Sequence, residues 1–235
     1  MNSAIDRDAL IKEALVGRGS AAWSPVWPEH WAYDGASNPF SYDPSLAKAA
    51  LAGAGFPAAP RSKRLQFTCL VPDGFAAIER LGLALQRSMN EVGVDLAFES
   101  VTLAEMETRM GAGLFDAVLL DLLSGPSISR LYSFWRSAET PGGLNVFGYR
   151  DRTVDDALER LRRTVDDSAI RAATSQLQGG FARNPPGIFI AWSERSRAVS
   201  RRIHAPHSPG RDPFQPLWQW RIRPGALAPR EVTHD

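Results

Sequence analysis

The chain has 235 residues, 44% of them hydrophobic, enough to bury one large core or two smaller ones. Its 27 basic and 26 acidic residues leave a net charge of +1, which gives no electrostatic footprint for nucleic acid or an anionic membrane. No apolar run approaches the roughly eighteen residues that span a bilayer, and the first residues carry no charged start followed by an apolar stretch.

In chain order, the first 17 residues open directly into a predicted helix, with Leu10, Ile11, Ala14 and Leu15 apolar and Gly17 at its end. Residues 19–41 show no periodicity and are rich in Pro, Gly, Ser and Trp. Loops of this length are functional or wrap another part of the molecule. The bulk of Trp23, Trp27 and Trp31 suits them to anchoring it on the core. From Tyr42 to Phe56 the signals are sharper. Asp43 is an N-cap, Pro44 fits the first helical position, and Ala47, Ala50, Leu51 and Ala54 share one face. Gly55 is placed as the left-handed terminator, with Phe56 folding back on the last turn.

Residues 65–71 read as a buried strand containing Cys69, the single cysteine, which excludes an intrachain disulfide. Ile78, Leu81, Leu85, Met89 and Val92 form a helical stripe stopped by Gly93. Val94, Leu96 and Phe98 then alternate with polar residues as in a half-buried strand. Thr102 and Glu105 form a capping box for a helix carrying Leu103, Met106 and Met110, and residues 115–120 are a third strand. This order predicts an α/β layer with largely parallel pairing. A loop with an embedded aromatic helix (Leu131, Phe134, Trp135) follows. Two helices come next, marked by Val154, Leu158, Leu161 and Val165 and by Ile170, Ala173, Leu177 and Phe181, with Asp166 and Asp167 between them. Residues 187–192 read as a strand after Pro185 and Pro186, and beyond Ser193 the pattern dissolves.

The wording of several of these stretches resembles the family 5 extracellular solute-binding proteins, the peptide- and nickel-type receptors of ABC importers. Tyr42-Asp43-Pro44 through Ala54-Gly55-Phe56 is similar to that family's Tyr-Asp-Pro…Ala-Gly-Tyr/Phe segment, with one Leu position replaced by Ala or displaced. Ala4-Ile5-Asp6-Arg7 resembles a helix start found past the middle of the family's chain, which implies a piece of a longer receptor. Gly93-Val94-Asp95, Gly113-Leu114-Phe115-Asp116, the run from Asn145 to Asp156 and the strand at 187–192 match in the same order. The resemblance implies a periplasmic-binding-protein-like (type II) α/β lobe with a mixed sheet flanked by helices. Residues 1–192 would be the C-terminal lobe, and residues 193–235 would return toward an N-terminal lobe. It also implies a periplasmic or extracellular location.

Chemistry is sparse outside that frame. None of His30, His204, His207 and His234 lies in a nucleophile motif, and no glycine-rich phosphate cradle occurs, so neither catalytic residues nor a cofactor are expected. His204, His207 and Asp212 offer metal-ligand chemistry, but in a Pro/Gly-rich stretch that sets no register, where a solvated loop is the stronger reading and no metal is expected. In open α/β sheets ligands collect beyond the carboxyl ends of the strands. Asp121, Ser124, Ser127 and Arg130 follow the third strand, with Trp135 and Asn145 shortly after. The family's matching loop carries a Trp and an amine-binding Asp without clear counterparts here; Asp121 is a substitute and equally a strand-end cap. The family's cleft also passes near the Trp-rich stretch. The expected ligand contacts are therefore Asp121, Ser124, Arg130, Trp135, Asn145 and Trp27. The implied partners are a small solute (peptide-like, sugar-like or a metal chelate), a membrane permease and the N-terminal lobe. A stand-alone interaction module using Trp218 and Trp220, or an α/β hydrolytic enzyme, are the alternatives.

Overall fold

The computed structural model describes residues 1–37, 39–57, 65–122, 127–137, 144–194, 199–206 and 217–223. At its centre, β2 (Leu65–Pro72) pairs in parallel with β3 (Val94–Val101) on one side and β4 (Ala117–Val118) on the other. Helix α3 (Ala76–Glu91) connects β2 to β3, and α4 (Leu103–Ala112) connects β3 to β4. Parallel neighbours require such crossovers, and helices on both faces account for the apolar strand sequence. One face of the sheet packs with α3, α1 (Arg7–Ala14) and α2 (Pro44–Gly53) around Val71, Leu85, Met89, Val94 and Leu96. The other face, with Leu70 and Val101, packs on Met106 of α4.

A second core lies among helices. α6 (Arg152–Arg163) and α7 (Asp167–Arg183) form a hairpin against the short α5 (Leu131–Trp135), burying Val154, Leu158, Leu177 and Phe181 to 0% exposure. Gly180 permits the close approach of α7, because a Cβ there would lie 2.6 Å from Val154 Cγ2. Two antiparallel ribbons complete the fold: β1 (Gly19–Ala21) with β5 (Ala191–Ser193), and β6 (Ile203–His204) with β7 (Arg221–Ile222). The three-stranded sheet itself is parallel throughout its described length, so the antiparallel pairing sits in the ribbons.

The caps read from the sequence are in place. Asp43 accepts from Leu46 N–H at 2.9 Å, Gly55 has φ 89, and Phe56 N–H and Gly55 N–H donate to Leu51 and Ala52 carbonyls, closing a Schellman turn. Other expectations shift. On α2 only Ala47 and Leu51 are buried, while Ala50 and Ala54 face outward. The strand expected at 65–71 is fully buried only from Cys69 onward, while Leu65 and Phe67 pack half-buried against the same core. The third strand pairs at Ala117–Val118 alone, prolonged by Leu119 N–H on the Leu70 carbonyl. Thr102 caps α4, but Glu105 turns its carboxylate to Arg109 rather than completing a box. Val165, placed on the α6 stripe, lies beyond the helix end and is 95% exposed. The strand at 187–192 begins only at Ala191, and the stretch after Ser193 contains the β6–β7 ribbon.

Cys69 is buried, and burial pushes its thiol up to about 12. A thiol that ionises only in the unfolded chain gives its full stability below the ordinary value of 9.0 and loses it as pH rises toward 12. The melting temperature is therefore expected to fall between pH 9 and 10.5. The fall should be shallower in Cys69→Ala, measured by circular dichroism against pH.

Candidate functional site

Because β2, β3 and β4 are parallel, their carboxyl ends emerge at one edge. Asp73 N–H donates to the Val101 carbonyl at 2.9 Å, stitching the exit of β2 to that of β3. Three large apolar residues stand exposed just after these exits: Phe75 at 44%, Leu103 at 56% and Leu122 at 38%. Asp73 and Asp121 are exposed along the same edge, and the first turns of α3 and α4 begin there. The carboxyl edge thus combines exposed apolar side chains, carboxylates and helix starts, the mixture from which ligand sites are built. Phe75 and Leu103 are not among the contacts expected from the sequence. Leu103, expected on one helix with Met106 and Met110, lies at the first position of α4 and is exposed, while Met106 is buried. The available signal was the position of both residues immediately after apolar strands.

Arg130 closes a 3-10 turn, Ile128–Arg130, that leads into α5, with its own side chain exposed. Ser124 lies outside the described residues. Trp27 is half-buried, and its neighbours Val26 and Ala32 share the second core with Ile128 and Leu131. The Trp-rich loop and the Arg130 turn are thereby packed onto one body. His30 Nδ1 accepts the Ala32 N–H at 3.1 Å, and Arg171 lies 5.0 Å over the Trp31 ring. Asp34 receives the Ser175 hydroxyl at 2.5 Å, and its backbone exchanges two hydrogen bonds with the buried Gln178 amide, fastening the loop to α7.

Trp135 and Asn145 are engaged inside the chain. Trp135 is 5% exposed, stacked on Phe147 at 5.7 Å and edge-on to Tyr149, Phe181 and Phe189. Asn145 Nδ2 donates to the Tyr149 carbonyl at 2.8 Å and the Arg136 carbonyl at 3.1 Å, while Oδ1 accepts the Tyr149 N–H. Burial and the nearby Asp151 and Asp155 push the Tyr149 hydroxyl up, so it stays protonated and donates to the Asn184 carbonyl at 2.8 Å. What these residues supply here is support behind the Arg130 turn. Of the expected metal-ligand residues, His204 sits on β6 opposite Arg221, while His207 and Asp212 lie outside the described residues. Among the described residues no group of three His, Cys, Asp or Glu side chains converges.

The open parallel sheet flanked by helices is an α/β lobe of the type II periplasmic-binding-protein kind, a fold shared with solved neighbours. Residues 1–142 match the model of "Bacterial extracellular solute-binding proteins, family 5 Middle", and the chain belongs to that family. It is 29% identical over 199 residues to Protein XP55 of Streptomyces lividans, covering 81% of this chain and 36% of that protein. It is 22% identical over 227 residues to the oligopeptide-binding protein AppA of Bacillus subtilis, covering 90% and 41%. The structure of AppA in complex with a nonapeptide superposes with a TM-score of 0.76 at 20% identity, over 94% of this chain and 46% of that one. NikZ of Campylobacter jejuni in complex with Ni(L-His) gives 0.72 at 19% identity, over 93% and 47%. The chain thus spans less than half the length of these relatives.

Asn145→Asp keeps the side-chain size but removes both donors. It is expected to lower unfolding free energy in urea by about 1–3 kcal/mol. Unchanged stability would move Asn145 out of this supporting role.

Proposed function

We propose that this chain forms part of the substrate-binding component of an ABC-type importer, acting outside the cytoplasm, with no bond made or broken. Residues 1–192 would serve as one α/β lobe that closes by hinge motion on a second lobe over a small solute. The observation that carries this reading is the family match joined to the apolar, carboxylate-bearing carboxyl edge of the sheet. Phe75, Leu103 and Leu122 would offer apolar contact there. Asp121, Ser124 and Arg130 would offer polar contact beyond β4, with Trp27 on the adjoining loop and Trp135 and Asn145 behind it. Relatives bind an oligopeptide in one case and a nickel–histidine complex in another, so the solute class is the quantity to measure.

Residues 193–235 would turn toward the other lobe. The outward exposure of Leu217, Trp218 and Ile222, at 55%, 73% and 62%, supports a covering surface of that kind. The alternative of an interaction module built on the same Trp218 surface draws on that exposure too, but leaves the carboxyl-edge rim without a role.

The test is a thermal-shift screen of the full-length protein with peptides, sugars and metal chelates. One class is expected to raise the melting point, since a ligand at a hundred times its dissociation constant adds about 2.7 kcal/mol. Phe75→Ala and Leu103→Ala should weaken that solute while changing ligand-free stability by less than about 0.5 kcal/mol, as exposed positions do. No stabilisation by any member of the panel would contradict the reading.

A further inference from the structure

Helix α7 turns one face to the Trp-rich loop. Arg171, Ser175 and Gln178, spaced four and three residues apart, share that side of the helix. Each engages the loop: Arg171 lies over the Trp31 ring, Ser175 donates to the Asp34 carboxylate, and Gln178 meets the Asp34 backbone. Gln178 is 4% exposed, and a buried carboxamide is destabilising unless both its ends are bonded. Here Oε1 accepts the Asp34 N–H at 2.9 Å and Nε2 donates to the Asp34 carbonyl at 3.2 Å. This is the paired exchange by which one strand residue grips its opposite in an antiparallel ladder. A leucine or methionine would fill a similar volume with no polar group to satisfy. What the amide adds is orientation: two bonds to one residue fix both where Asp34 sits and which way its peptide units point.

That orientation is passed along the loop. Tyr33 N–H donates to the His30 carbonyl at 2.8 Å, and His30 N–H donates to the Trp27 carbonyl at 2.9 Å. The His30 ring holds the Ala32 N–H between them. Consecutive turns therefore connect the Asp34 clasp to Trp27. At the loop's start, Trp23 bonds the Tyr33 hydroxyl and carries the Arg7 guanidinium 5.3 Å over its ring. Val26 and Ala32 pack with Ile128 of the turn that follows β4, so the loop lies beside the Arg130 turn. An irregular loop that must order itself around a ligand gives up conformational freedom at that moment, whereas one held beforehand gives up little. A contact residue on such a loop needs support from a rigid element. The α7 face supplies it.

We propose that Gln178 is a positioning residue for the solute, acting through Asp34 and the turns behind it to hold Trp27 in its contact orientation. This rests on the importer reading and adds to it a residue that sets affinity without touching the solute. The test is a double-mutant cycle by isothermal titration on the full-length protein, with Gln178→Met and Trp27→Leu made singly and together. The titrants are degenerate tripeptide and nonapeptide mixtures, nickel(II)–L-histidine, and a mixture of mono- and disaccharides. For the titrant that the wild type binds, Gln178→Met should weaken binding about tenfold, and the loss should shrink to about twofold or less once Trp27 is already replaced. Gln178→Glu keeps the length but loses the amide donor and should reproduce that loss, so failure of the methionine variant to fold leaves the cycle intact. Equal losses in both Trp27 backgrounds, or unchanged affinity in a folded Gln178 variant, would overturn the proposal, because packing alone would then account for the amide. Failure of the importer reading shows separately, as a wild type that binds none of the titrants, and takes this inference with it.

Discussion

The structure depends most on a buried guanidinium. Arg7 is 4% exposed, and among the described residues no carboxylate pairs with it. Its Nε donates at 2.9 Å to the carbonyls of both Ala22 and Phe189, its NH2 reaches the Asn2 side chain at 2.7 Å, and its plane lies 5.3 Å over Trp23. Burial lowers its pKa to about 10, so the cation is held at neutral pH by carbonyl dipoles and an aromatic face. Three distant parts of the chain are fixed together by this one group: the first helix, the Trp-rich loop and the strand entering the β1–β5 ribbon. A two-stranded ribbon is marginal by itself, and Arg7 at its foot supplies what its few ladder bonds lack.

From that junction the two cores take their relative positions. Ile190 packs with the sheet while its neighbour Phe189 packs with the helical hairpin, so the segment held by Arg7 belongs to both. Phe115 at the entry to β4 meets Phe147 edge-on at 6.4 Å, and Phe147 stacks on Trp135. The aromatic group therefore spans from sheet to helices behind the residues that follow β4. The Arg130 turn is anchored on the same core by its own Ile128, with the aromatic rings packed behind it.

Much of the fold was legible because its signals are local. Asp43, Pro44 and Gly55 bound α2, Gly93 ends α3, and the β–α–β–α–β order of 65–118 follows from apolar periodicity. What was not legible depends on distance in the chain. The 65–71 run gives no hint that only its second half is fully buried, with Leu65 and Phe67 left half-exposed, since that depends on elements distant in the chain. Leu103 and Val165 fit their helical stripes by spacing, yet each falls at a helix end where the stripe has nothing to face. Trp135 and Asn145 follow the third strand in the sequence, but only the assembled structure shows the ring and the amide turned to internal partners. Arg7 carries a family-like motif in the sequence, and nothing local to it indicates that its partners are Ala22 and Phe189.

The most direct measurement is hydrogen exchange by mass spectrometry on the full-length protein and its Arg7→Met variant. With Arg7 as the junction, peptides covering 19–34 and 188–193 should lose protection in the variant, while those from β2 and β3 keep theirs. Protection unchanged at both segments, or lost evenly across the sheet as well, would contradict the account.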